Sequence, residues 1–387
     1  MRPLTYGRPK VMLPIANKPI LEHLLIAATQ AGIKEFIFIV GYHDEQVREY
    51  FGRGEKWEIS IEYSTQRRQQ GTADAVRMVR NLVDGHFLMI NGDIIVNQSS
   101  IKNLLGSKDN TMSVVEVEDT EGLGLVELAE GRVVHIYEKV EKPPSRMANA
   151  GLYLFTPDIF TAISQTPKSA RGEYEITDSL QLLIDQKSPV SYQIIDSWLD
   201  ISHPWDLLPA NESILSRMES RSLGKVEKNA VIKDAVSIGE GSVVRSGSYI
   251  AGPVIIGQNC DIGPNCHIRP YTAIGDDCHI GSAVEVKNSI IMKGSKIPHH
   301  NYVGDSIIGE GCNLGAGTKI ANLRLDEKEI WIAGRNTGRR KMGAIIGDNV
   351  KTGINASINV GSIIGNNSQI GPGAVASGVI SSDSQIF

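Results

Sequence analysis

The stretch Val254-Ile255-Ile256-Gly257-Gln258-Asn259-Cys260-Asp261-Ile262-Gly263-Pro264-Asn265-Cys266-His267-Ile268 places an isoleucine at every sixth residue, at 256, 262 and 268. The step runs back through Ile250, Val244, Ile238 and Ile232, and forward through Ile274, Ile280 and Val286. A helix repeats near 3.6 residues and a strand at 2, so neither alone produces six. A hexapeptide repeat produces a parallel β-helix, in which each flat face of each coil buries one aliphatic side chain. With three faces to a coil, residues eighteen apart stack on each other. Ile308, Leu314 and Ile320 keep the step, as do Ile346, Ile358, Ile364 and Ile370.

The repeat breaks twice. Residues 287–307 shift the frame around Lys296-Ile297-Pro298-His299-His300, and residues 323–342 form a polar, charged insertion ending in Arg339-Arg340-Lys341. An excursion from a coil usually serves a binding face or a neighbouring subunit. Cys260, Cys266, Cys278 and Cys312 each stand two places before an aliphatic corner. Although His267 and His279 lie close by, these cysteines read as small residues filling the inward slot, with the histidines facing outward, rather than as metal ligands.

Upstream of about residue 205 the pattern alternates. Ile20, Leu21, Leu24, Leu25 and Ala28 recur at helical spacing before Gly32, and Ala75, Val76, Val79 and Leu82 mark a second helix. The runs Phe36–Val40 and Phe87–Ile90 read as strands buried on both faces. Strand and helix in short alternation predict an α/β, Rossmann-like, mostly parallel sheet, with ligands at the carboxyl ends of its strands. The expected organisation is therefore an α/β domain over 1–205, a helical linker over 206–225, an all-β parallel β-helix over 226–380 and a tail over 381–387.

The 387 residues carry a net charge of −5, with 41% hydrophobic and 21% charged residues, which excludes disorder and a basic field for nucleic acid. No apolar run suggests a membrane span or a signal core, and four cysteines make no disulfide framework. A cytoplasmic setting is expected.

Arg2-Pro3-Leu4-Thr5, Arg8-Pro9-Lys10 and Leu13-Pro14-Ile15-Ala16-Asn17-Lys18-Pro19 resemble the opening of sugar-1-phosphate nucleotidyltransferases. The resemblance implies attack of a sugar 1-phosphate on the α-phosphate of a nucleoside triphosphate, with expulsion of pyrophosphate. It implies Lys10 as the cation on the phosphates. Gln66, Gly71 and Thr72 match the loop that reads the base, and Gly124, Glu138, Lys139 and Asn149 match the sugar-binding positions. Glu173 to Asp178 match a further segment near the sugar. Asp93, after the strand 87–90, and Asp200 match the pair of carboxylates that hold Mg2+. Family members carry a G-x-G-T-R loop before this opening, which cradles the triphosphate on backbone N–H groups. The chain begins at the tail of that loop, so weak nucleotidyl transfer is expected of it.

The second half resembles the acetyltransferase half of the bifunctional N-acetylglucosamine-1-phosphate uridylyltransferase/glucosamine-1-phosphate acetyltransferase family, most closely its archaeal type. Ile268-Arg269-Pro270, Val284-Glu285-Val286-Lys287, His299 to Asp305, Asn313 to Thr318 and Ala321-Asn322 carry the resemblance. It implies a left-handed coil and acetyl-CoA as co-substrate. It implies His299 as the base that takes the amine proton, and the Ala316 N–H as a donor to the tetrahedral oxyanion. Tyr302 and Asn322 would position the sugar and Arg269 and Lys287 would supply the cations for its phosphate, while Asn313 would bind substrate at the acetyl site and Lys341 matches a family lysine near the substrate. His300 falls at a variable position, and Lys328 with Arg339-Arg340 could bind phosphate or simply be solvated. Homotrimers with acetyl sites between subunits are the family's assembly.

The expectation is thus a bifunctional amino-sugar-activating enzyme leading to UDP-N-acetylglucosamine, with UTP or dTTP as the nucleotide and glucosamine 1-phosphate the favoured hexosamine. Two other readings stand beside it. One is a glucose- or mannose-1-phosphate nucleotidyltransferase whose coil is an assembly or regulatory platform. The other is a non-catalytic subunit of the same layout.

Overall fold

The computed structural model describes residues 1–138 and 144–387. They form two compact units, one of Met1–Pro19 with Ile201–Phe387 and one of Ile20–Asp200.

In the first unit the hexapeptide step becomes a parallel β-helix. Its strands run from Arg221–Ser222 to Gln385–Ile386 and stack into three ladders of nine, nine and eight strands. The register carries each corner onto its equivalent one coil later: Ile238 pairs with Ile256 and Ile256 with Ile274. Ile250, Ile262, Ile268, Ile280, Val286 and Ile320 are fully buried in the single core of the coil. The predicted frame shift is real. Ile274 pairs with Ile291 and Ile291 with Ile308, so two successive turns are each a residue short.

The corners need left-handed backbone, and asparagine or aspartate supplies it at Asn259, Asn265, Asp277, Asn349, Asn355 and Asn367. Several of these side chains stack from coil to coil, with Asn349 donating to Asn367 at 3.3 Å and Asn367 to Asp383 at 3.0 Å. All four cysteines are buried thiols in the coil core. Burial pushes Cys278 and Cys312 up to about 12, so neither is a thiolate at neutral pH. His267 faces solvent, as expected.

The insertion leaves the coil after Ala321. Leu323 bridges Lys341 at its base, and Trp331–Ile332 pairs antiparallel with Arg335–Asn336 at its tip. Ile330 and Ile332 are buried against Gly361, where a Cβ would lie 2.9 Å from Ile330 Cγ2. The coil then resumes at Ala344–Ile346, directly on Ile307–Ile308. The first nineteen residues also lie on this unit: Arg8 pairs with Asp348 at 2.7 Å and Glu310 at 3.1 Å, and Asn17 donates to the Ile274 carbonyl at 2.7 Å.

The second unit is α/β, but its main sheet is mixed rather than mostly parallel. The six strands lie in the order Phe87–Ile90, Met147–Phe155, Asn110–Glu116, Val190–Ile194, Arg132–Glu138 and Gly124–Ala129. Only Val190–Ile194 with Asn110–Glu116 is a parallel pair, and the hairpin 124–138 supplies much of the antiparallel pairing. Glu35–Val40 and Ser60–Thr65 make a separate parallel ladder. Both strands read as doubly buried, Phe36–Val40 and Phe87–Ile90, are only half-buried. The second predicted helix spans Thr72–Met78 and stops short of Leu82, which is exposed.

Candidate active sites

In the α/β unit, the loop from Gln66 to Thr72 is stitched to the segment that follows Glu173. Tyr174 N–H donates to the Gln70 carbonyl at 2.7 Å, Ala73 N–H to the Tyr174 carbonyl at 2.9 Å, and Ile176 N–H to Thr72 Oγ1 at 2.9 Å. Gly71 sits at φ 104, and a Cβ there would meet the Tyr174 carbonyl oxygen at 2.3 Å, so the loop closes only on glycine. Gln66 Nε2 donates to Asp74 Oδ2 at 2.9 Å and to the Gly71 carbonyl at 3.2 Å. Both partners are acceptors, which commits the amide nitrogen to the protein and leaves the Gln66 side-chain oxygen as the group that can accept. An acceptor suits the N3–H of uracil or thymine.

The residues matched above to sugar-binding positions come together through a bulge. The ladder between Met147–Phe155 and Asn110–Glu116 shifts register between Asn149 and Tyr153, where Gly151 takes φ 74. Asn149 Oδ1 accepts from Gly151 N–H at 3.1 Å, and its amide meets the Tyr153 hydroxyl at 2.7 Å. Tyr153 is buried, which raises its pKa, so it remains a neutral donor. Gly124 pairs with Glu138 in register, and a Cβ on Gly124 would touch both Glu138 and Asn149. Arg171, unforeseen from the sequence, joins them by pairing with Glu138 at 3.2 Å and Glu175 at 2.9 Å. It lies just before a segment whose motif was recognised, but a lone arginine in a loop carries no pattern. Lys139 lies outside the described residues.

Asp200 pairs in register with Ile94, the residue after Asp93, which brings the two aspartates to one end of a short antiparallel ladder. Trp198 Nε1 donates to the Ala150 carbonyl at 2.9 Å and fixes that ladder against the sheet. Among the described residues no three His, Cys, Asp or Glu side chains gather as a metal site. A carboxylate pair still fits Mg2+, which keeps waters and takes its remaining ligands from substrate phosphates. Lys10 lies in the short turn Lys10–Met12, in the unit that holds the coil.

On the coil, His299 ends the strand Lys296–His299 opposite Ser282, with an exposed side chain. Gly317 N–H donates to the His299 carbonyl at 2.9 Å, which stacks the Gly315-Ala316-Gly317 corner on the His299 corner. Tyr302 and Asn322 meet over Gly304: a Cβ there would lie 2.7 Å from both the Tyr302 hydroxyl and Asn322 Nδ2. Burial raises the Tyr302 pKa, and Asp305 and Glu285 add to the effect. Asn313 lies on the neighbouring ladder, paired with Lys296, just before the Ala316 corner.

Beside the carboxyl ends of the strands His267–Ile268, Glu285–Lys287 and Tyr302–Gly304, which stack on one another, is a cavity of about 580 Å³. Arg269, Lys287 and Lys341, named above from the family resemblance, line it together with Arg339 and Arg340. Two carboxylates, Glu212 and Asp305, share the lining. Asp305 is almost wholly buried and accepts from Lys287 at 3.1 Å and from Asn322. Arg269 pairs with Glu285 at 2.8 Å. Asp305 and Glu212 went unrecognised in the sequence, the first because its motif was read for His299 and Tyr302, the second because its helix looked like a linker.

An α/β unit bearing a carboxylate pair, and a hexapeptide coil bearing a histidine corner and a cationic cavity, together define a two-site transferase. The chain matches the nucleotidyl transferase family over residues 1–217, and the GMPPB C-terminal domain over residues 250–360. It is 42% identical to the bifunctional protein GlmU of Methanococcus maripaludis, across 100% of this chain and 93% of that one. It is 40% identical to a bifunctional sugar-1-phosphate nucleotidylyltransferase/acetyltransferase of Sulfurisphaera tokodaii, across 97% and 94%. A solved Bacillus anthracis structure assigned as a glucose-1-phosphate thymidylyltransferase superposes with a TM-score of 0.50 at 26% identity, covering 55% of this chain and 88% of its own. The chain belongs to the family of bifunctional sugar-1-phosphate nucleotidyltransferases/acetyltransferases.

Proposed function

We propose that the protein N-acetylates a hexosamine 1-phosphate, glucosamine 1-phosphate being the favoured case, and couples the product to a uridylyl or thymidylyl group. The cavity that joins Arg269 and Lys287 of the coil to Lys341 of the insertion carries this reading, because a bare assembly platform needs no such concentration of cations. In acetyl transfer the sugar amine attacks the thioester carbonyl of acetyl-CoA. His299 takes the amine proton, the Ala316 N–H steadies the oxyanion, and collapse breaks the C–S bond to release CoA. Tyr302 and Asn322 hold the sugar, with Asn313 beside the same corner. In nucleotidyl transfer an oxygen of the sugar phosphate attacks the α-phosphorus and the bond to pyrophosphate breaks. Gln66, Gly71 and Thr72 hold the base, and Gly124, Glu138 and Asn149 hold the sugar with Arg171 beside them. Lys10 meets the phosphates, and Asp93 and Asp200 would hold Mg2+, which when bound would offset phosphate charge. The family pattern supports a homotrimer with acetyl sites shared between subunits, and a cytoplasmic setting.

A second reading keeps nucleotidyl transfer alone and makes the coil a platform. The match of residues 250–360 to the GMPPB C-terminal domain favours it. Free-CoA release from acetyl-CoA across a panel of amino-sugar phosphates separates the two. The proposal expects release with at least one hexosamine 1-phosphate, and none with any would leave the platform reading.

A further inference from the structure

The cationic cavity has two walls. Arg269, Lys287 and Asp305 come from the coil, whereas Arg339 to Lys341 are the returning arm of the insertion. A chain of polar contacts joins the walls. Arg339 Nη2 donates to Glu212 Oε1 at 2.8 Å, and Asn288 Nδ2 donates to the same oxygen at 3.0 Å. Asn288 Nδ2 also donates to Asp305 Oδ1 at 2.9 Å, and Asp305 Oδ2 holds Lys287 at 3.1 Å. Glu212 lines the cavity from a third element, the helix Leu207–Leu215.

Asn288 can stand in only one way here. Both neighbours of its amide nitrogen are carboxylates, so each amide hydrogen goes to one of them. Asn288 is buried and takes a left-handed backbone at φ 45, which leaves it little freedom to move. The separation between Lys287 and Arg339 is therefore set by a short series of bonds rather than by two flexible side chains in water. Arg339 spends one N–H on Glu212 and one on the Lys341 carbonyl, at 3.4 Å. A guanidinium has five, so donors remain for a ligand. Among the residues lining the cavity, five cations face two carboxylates committed to the chain of contacts, and Glu285 and Glu327 pair with Arg269 and Arg340 from outside the lining. The surplus is positive and preorganised, the condition for a phosphate dianion.

We propose that Arg339 is a further ligand to the phosphate of the hexosamine 1-phosphate at the acetyl site, and that Glu212 is the positioning residue that holds it. This rests on the acetyl-transfer reading above. It gives the insertion a function: it brings a second phosphate cation to a cavity whose other wall the coil builds. Glu212, whose Oε1 accepts from Arg339 and Asn288, acts through Arg339.

Steady-state acetylation with glucosamine 1-phosphate and acetyl-CoA tests this, with inorganic phosphate as a competitive probe of the phosphate subsite alone. Arg339→Ala should raise both KM for the sugar phosphate and Ki for phosphate by about 10- to 100-fold, the usual worth of a charge-assisted bond. The acetyl-CoA KM and kcat should stay within about twofold, since uniform substrate binding is what is lost. Glu212→Gln should shift the same two constants by a smaller factor, and Arg339→Lys should recover part of the loss. An unchanged Ki for phosphate in Arg339→Ala would overturn the proposal. So would a fall in kcat together with a matching rise in the acetyl-CoA KM, the mark of a structural tie. If the unaltered protein released no CoA, the acetyl-transfer reading would fail by itself. Calorimetric titration with inorganic phosphate would then still decide, since equal affinity of the unaltered and Arg339→Ala proteins overturns the assignment.

Discussion

A methyl group at Gly71 would have to occupy space held by the Tyr174 backbone, at a φ that alanine adopts only under strain. Gly71→Ala should therefore open the base loop and strongly reduce pyrophosphate release, while CoA release is unaffected. Equal activity of the variant and the parent in pyrophosphate release would show that the loop does not bind the nucleotide. The buried thiols make a second prediction. Burial raises the pKa of all four cysteines, so above about pH 9 the unfolded chain loses thiol protons that the folded coil retains. Stability then falls as pH rises through that window. The urea midpoint should drop between pH 8 and pH 10, and by less in Cys278→Ala, whose folded and unfolded states no longer differ at that position. A drop of the same size in both proteins would remove the thiols as its cause. Their inward placement was legible in the sequence because each precedes a corner isoleucine or leucine by two places. Arg171 and Asp305 were not, because a charged residue acquires its role from partners distant in the chain, such as Glu138 and Lys287.

Whether an element could be read depended on its period. The coil was legible strand by strand, including its frame shift, because one isoleucine per six residues has no other structural solution. The sheet was harder to read. An apolar strand looks alike whether its neighbour is parallel or antiparallel, so the hairpin 124–138 and the antiparallel run Met147–Phe155 left no trace in the pattern. The insertion read correctly as a departure from the coil, but not as a hairpin folded back on it. Ile330 and Ile332 hold that hairpin down. Ile332→Ala should cost about 2–5 kcal/mol locally, the usual price of emptying such a site. Acetylation should suffer through loss of Arg339, while the coil keeps its melting temperature. A lowered melting temperature of the coil would show instead that the hairpin is part of its cooperative core.

At the scale of the molecule, the coil and Glu212 belong to one compact unit, whereas the paired carboxylates belong to the other. A fragment beginning near Ile201 should fold alone, run as a trimer and acetylate, because each coil is stabilised by its neighbours in the stack. A fragment beginning after the helix Leu207–Leu215 should fold equally well but bind the sugar phosphate more weakly, having lost Glu212. A monomeric fragment that is folded and fully active would contradict sites shared between subunits.

The central claim is that the coil is itself an acetyltransferase with His299 as its base. CoA release from acetyl-CoA and glucosamine 1-phosphate tests it directly, in the unaltered chain, in His299→Ala and in Asp93→Asn. Equal rates are expected for the unaltered chain and Asp93→Asn, and a loss of about 10²-fold or more in His299→Ala, the usual contribution of a general base. Undiminished release by His299→Ala, or a matching loss in Asp93→Asn, would contradict it.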